Sequence, residues 1–97
     1  MDNRDYLVML YDFYCELFND KQKEYFEEYY FNNLSLSEIS EKLGVSRNAI
    51  HKSIQAIEEK LNFYEEKLKL YKKSMLIHDI LEKVNDKEIK EMLEELR

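Results

Sequence analysis

Five side chains between residues 47 and 55 carry the chemistry of base recognition: Arg47, Asn48, His51, Lys52 and Gln55. Arginine pairs with the guanine edge, asparagine or glutamine with adenine, and Lys52 can hold a phosphate. On a helix of 3.6 residues per turn these positions share one face. Ser46 stands just before them as an N-cap, and a helix N-terminus offers free N–H groups to a phosphate. Ser37 and Lys42, on the preceding predicted helix, are candidates for phosphate-backbone contacts. Residues 46–57 hold two bases and no acid, whereas residues 1–45 hold ten acids and four bases. Residues 58–97 hold eleven acids and nine bases, and the whole chain has a net charge of −6. The window therefore supplies a contact face without a strong field. Few phosphates would be neutralised, so DNA binding would be weak unless the protein dimerises or has help. The plainer reading of the same five residues is a solvated helix face.

No other constellation points to chemistry. Cys15, His51 and His78 fall on three separate predicted helices without ligand spacing. There is no glycine-rich phosphate loop, and the many acids alternate with lysines as surface pairs. Neither a metal nor another cofactor is expected, and the protein is read as not an enzyme. Lys67, Lys69, Lys72 and Lys73 form a basic patch that can meet nucleic acid or anionic lipid, or edge a packed helix. Ten of the thirteen aromatics lie between Tyr6 and Phe31 at helical spacing, which assigns them to a core. The surplus, Tyr25 or Phe31, is left for a protein interface.

The elements that must position the five residues are legible around Gly44, the chain's only glycine. Ser35 and Glu38 have the spacing of a capping box, and Leu36, Ile39 and Leu43 follow at helical intervals. Gly44 can end that helix in the left-handed conformation. Val45 plugs the turn into the core, Ser46 caps the next helix, and Ala49, Ile50, Ile54 and Ile57 form its buried face. The result is a helix-turn-helix whose second helix presents polar side chains near its N-terminus.

Elsewhere the pattern predicts a helix over 4–18, with Leu7, Leu10, Tyr14, Leu17 and Phe18 on one side. Asn19 and Gln22 open another that runs to Phe31, and Asn32 and Asn33 form a turn. The helix from Arg47 has no stop signal before Lys73. Its residues Ile50, Ile54, Ile57, Leu61, Tyr64, Leu68, Tyr71 and Met75 alternate steps of four and three, a heptad seam. Ala49, Ala56, Phe63 and Leu70 flank that seam with a second apolar row. Helices over 75–84 and 87–96 complete the chain, with Asn85 and Glu88 as the capping pair between them. The distal half of so long a helix needs cover from the C-terminal helices, a second protomer, or both, so a homodimer is expected.

Composition agrees with an all-helical domain: 97 residues, no proline and one glycine. One domain is expected over 1–97, with a head over 1–57 and an extended helix and C-terminal helices, serving dimerisation, over 58–97. No apolar run approaches the ~18 residues of a membrane span, so no membrane insertion is expected. The N-terminus carries acids inside its apolar part, a poor secretory signal, and the lone Cys15 fits a reducing compartment. Cytoplasmic localisation is the expectation.

The stretch YDFYCELFNDKQKEYFEEYYFNNLSLSEISEKLGVSRNAIHKSI, continued in LNFYEEKLKL, resembles the YlxM-like family of small bacterial helix-turn-helix proteins over residues 11 to 70. Its carriers are the DFY of the first helix, the DKQ opening the second, the tandem Tyr29-Tyr30, SLSEIS and VSRNAI. The motif also looks like region four of bacterial sigma factors. The resemblance implies a sigma-region-four-like head, and the residue pattern adds the long extended helix and the C-terminal helical hairpin, giving an all-α, sigma-region-four-like helix-turn-helix fold. The resemblance further implies a DNA-binding regulator linked to the signal recognition particle pathway. The rival expectation is an accessory factor that binds a protein or RNA component of that pathway instead of DNA.

Overall fold

A computed structural model describes residues 2–97 as an all-α chain of six helices. They are α1 (Asn3–Tyr14), α2 (Asp20–Tyr30), α3 (Leu36–Leu43), α4 (Arg47–Leu68), α5 (Leu70–Lys83) and α6 (Lys87–Leu96). Helix α4 is the hub, and α1, α2 and α3 all pack on it. Its stripe of Ile50, Ile54, Ile57 and Leu61 is buried against Leu7, Leu10 and Tyr14 of α1, Phe26 of α2 and Ile39 of α3.

Local chemistry sets most boundaries. Asn19 accepts the Gln22 N–H at 2.8 Å while the Gln22 side chain accepts the Asn19 N–H at 3.0 Å, closing the predicted box. Ser35 and Glu38 close the second box in the same way. Gly44 stands at φ 68°, ψ 29°, and its N–H bonds the Ser40 carbonyl.

The aromatic segment is core, as its spacing predicts. Tyr11 stacks on Phe26 with centroids 4.1 Å apart, and Phe26 on Tyr30 at 4.3 Å. Their hydroxyls reach the surface of the stack, Tyr11 donating to Glu27 and Tyr30 to Glu58. Arg4 ties α1 to the end of α2. Its Nη2 donates to the carbonyls of Tyr29 (2.9 Å) and Tyr30 (3.2 Å) and to Asn33 Oδ1 (2.9 Å), satisfying acceptors that a helix C-terminus leaves open.

Five sequence expectations need correction. The first helix stops at Tyr14 and tightens into a 3₁₀ turn over Cys15–Leu17. That turn brings Phe18 into the core and leaves Leu17 55% exposed. Ala49 is exposed, as are Ala56, Phe63 and Leu70, so the second apolar row is not buried in this chain. Tyr25 is buried and offers no interface, while Phe31 is exposed. Asp86, not Asn85, caps α6, accepting the Ile89 N–H at 3.0 Å.

The largest departure is the long helix. It ends at Leu68, and Lys69 adopts the left-handed conformation at φ 57° before α5 begins at Leu70. The break is held from a distance. Tyr14 accepts the Leu70 N–H at 3.1 Å and donates its own hydrogen to Glu65 Oε1 at 2.6 Å. The Glu65 carboxylate accepts the N–H groups of Tyr71 (3.1 Å) and Lys72 (3.0 Å). Three orphan donors of the new helix are thus satisfied by two side chains outside it. Tyr71 lies edge-on to Tyr6 and Phe13 of α1. Helix α6 returns along α5, bringing Arg97 within 3.4 Å of His78. Neither α5 nor α6 has a buried side chain.

Candidate nucleic-acid interface

The turn between α3 and α4 is built by three small residues. Gly44 supplies the left-handed step, where any other residue would be strained. Ser40 Oγ donates to the Val45 carbonyl at 2.6 Å, and Ser46 Oγ accepts the Ala49 N–H at 3.2 Å. Val45 is half-buried against the core. A buried carboxylate fixes α3 to α2: Glu28 Oε2 lies 2.6 Å from Lys42 Nζ, and its Oε1 accepts from Asn32 at 2.5 Å. The Lys42 ammonium, then Asn32, holds the Glu28 carboxyl below its usual range.

This frame turns Arg47, Asn48, His51, Lys52 and Gln55 outward together. All five are exposed, and among the described residues none forms a salt bridge. They span the first three turns of α4, on the side away from Ile50, Ile54 and Ile57. The first acid of that helix is Glu58. Ser46 at the cap and Ser37 on α3 are also exposed. Lys42 is 57% exposed but shares its charge with Glu28, a partner that sequence spacing did not reveal.

Other charged features lie elsewhere. Lys67, Lys69, Lys72 and Lys73 cluster at the α4–α5 break, with Lys67 Nζ 5.8 Å from the Phe63 ring centre. Cys15, His51 and His78 stand on separate elements. His78 pairs with Glu82 at 3.1 Å on its own helix. No described helix is long and apolar enough to cross a membrane.

The profile of the UPF0122 family, described as "Putative helix-turn-helix protein, YlxM / p13 like", matches residues 1–97. The chain belongs to that family. A UPF0122 protein of Ureaplasma urealyticum serovar 10 is 38% identical over 95 residues, covering 98% of this chain and 96% of the relative. A UPF0122 protein of Thermoanaerobacter sp. (strain X514) is 48% identical over 50 residues, 52% of this chain. The Malacoplasma penetrans relative is 53% identical over 49 residues, 50% of this chain. The matched segment spans less than half the length of these last two relatives, 43% and 46%.

Proposed function

We propose that this UPF0122 chain is a sigma-region-four-like helix-turn-helix protein that binds duplex DNA in the cytoplasm and acts as a regulator without catalysis. The observation that carries the reading is the unpaired, acid-free face of α4. In an acidic chain, four polar residues with base-reading chemistry and one lysine for phosphate stand on the helix that a helix-turn-helix inserts into the major groove. Arg47, Asn48, His51 and Gln55 face base edges, while Lys52, Ser46 and, on α3, Ser37 and Lys42 contact phosphates.

The test is fluorescence anisotropy of mixed-sequence duplex DNA, titrated with wild type and with Arg47→Ala/Lys52→Ala at two salt concentrations. Binding should fall with salt, and the double variant should weaken it by ~1–3 kcal/mol and flatten the salt slope. Wild-type binding that ignores both substitutions would overturn the reading.

The net charge of −6 favours a second reading, an accessory factor for a protein or RNA component of the signal recognition particle pathway. Under it the α4 substitutions are silent, and changes at Lys67–Lys73 or near Phe31 weaken the complex. In either case the partner of the α5–α6 face is a second copy of the chain. Two amphipathic helices without one buried side chain are marginal alone, and a second copy is always present to cover them.

A further inference from the structure

We infer that the α4–α5 joint is a two-position hinge: Glu65 and Tyr14 latch it in the broken form, and its release fuses α4 and α5 into one continuous helix. The inference stands apart from DNA binding and needs only the geometry of the joint.

The break has no local cause. Residues 45–97 contain neither glycine nor proline, and a single residue, Lys69, leaves the helical conformation. Its φ of 57° is one that a side chain with a Cβ adopts at a cost. The heptad seam ignores the break, running Leu61, Tyr64, Leu68, Tyr71 and Met75 in unchanged steps of three and four. By local propensity and pattern this segment is one helix.

What opposes that is tertiary. A continuous helix would bond the N–H groups of Leu70, Tyr71 and Lys72 to the carbonyls of residues 66, 67 and 68. In the broken form the same three donors go to Tyr14 Oη, Glu65 Oε1 and Glu65 Oε2. The exchange is three hydrogen bonds for three. The broken form adds the contacts of Tyr71 with Tyr6 and Phe13, and the fused form relieves Lys69. Neither form leaves the donors orphaned, so the joint is bistable rather than floppy. Fusion would lift the α5–α6 hairpin from α1 and uncover Phe13.

Spin labels at Asp5→Cys on α1 and Asp79→Cys on α5, in the full chain with Cys15→Ser, read the two forms by pulsed dipolar spectroscopy. Diluted in excess unlabelled chain, so that only the distance within one copy is read, wild type should give one short, narrow distance. Tyr14→Phe/Glu65→Leu should shift the population to a longer distance that is also narrow, with unchanged or increased helical circular dichroism. Adding Lys69→Gly, which favours the left-handed step, should restore the short distance. A wild-type distance in the latch variant would overturn the proposal. So would a broad distribution insensitive to Lys69→Gly, the signature of a hairpin that has merely come loose.

Discussion

Tyr14 ties α1 to both α4 and α5. Its ring is buried beside Tyr64, and its hydroxyl both donates to Glu65 and accepts from the Leu70 N–H. Burial, then the Glu65 hydrogen bond, pushes its phenol up from 10.0 to about 12. Tyr11 and Tyr30 are raised too, by burial first and then by Glu27 and Glu58. A raised acid stabilises the fold in its protonated form. That stability is complete below the ordinary pKa of 10.0 and is lost as pH rises toward 12. Glu28 and Glu38 have the opposite sign. Their depressed carboxyls, held by Lys42 and by the Ser35 N–H, stabilise above 4.5 and lose that contribution as pH falls. The melting temperature should therefore form a plateau between about pH 5 and 9 and fall on both sides. Ultraviolet titration should show late tyrosines, one of which disappears in Tyr14→Phe. Uniform ionisation of all tyrosines near their ordinary value in the folded protein would contradict this.

At the level of elements, the two left-handed residues outside the α2–α3 loop make opposite predictions. Gly44→Ala places a methyl where nothing lies within 4 Å, so its effect is backbone strain alone, ~1 kcal/mol lost. Lys69→Gly relieves the same strain and should raise stability by a smaller amount, since glycine also gains freedom in the unfolded chain. Urea denaturation of the two variants checks both signs. These two joints also divide what the sequence reveals from what it hides. The caps at Asn19, Ser35 and Ser46 and the stop at Gly44 have their partners within four residues, so spacing alone discloses them. The break at Lys69 depends on Tyr14, 56 residues before Leu70, and no local signal exists. Leu17 and Phe18 compete for one core position, and the 3₁₀ turn that decides between them lacks a marker residue. The outward face of α4 was legible because the apolar stripe beneath it fixes its direction. The Lys42–Glu28 pair was not, because it joins two helices whose packing periodicity leaves unspecified.

The molecule as a whole is elongated, 55 × 23 × 22 Å, with a radius of gyration of 17.0 Å. A compact chain of this length would have about 12–13 Å. The excess comes from the hairpin, which carries Leu76, Ile80, Met92 and Leu96 exposed, the last at 73%. If two copies cover this surface, sedimentation velocity should find a dimer at micromolar concentration, and Leu76→Glu/Met92→Glu should give monomers that keep the buried α4 core. A wild-type monomer throughout that range would sink the dimer. The Tyr14–Glu65 contact has one more consequence, in the order of synthesis. Leu7, Leu10, Tyr14, Phe26 and Ile39, the buried partners of the Ile50–Leu61 stripe, all precede α5 in the chain. The Tyr14 hydroxyl and the Glu65 carboxylate belong to α1 and α4, so both sides of the latch precede α5, and the hydroxyl lacks only the amide it accepts. A nascent chain emerging residue by residue meets this waiting hydroxyl before it can close the first turn of α5. Helix α1 thereby acts as the template that decides where the later helix α5 begins.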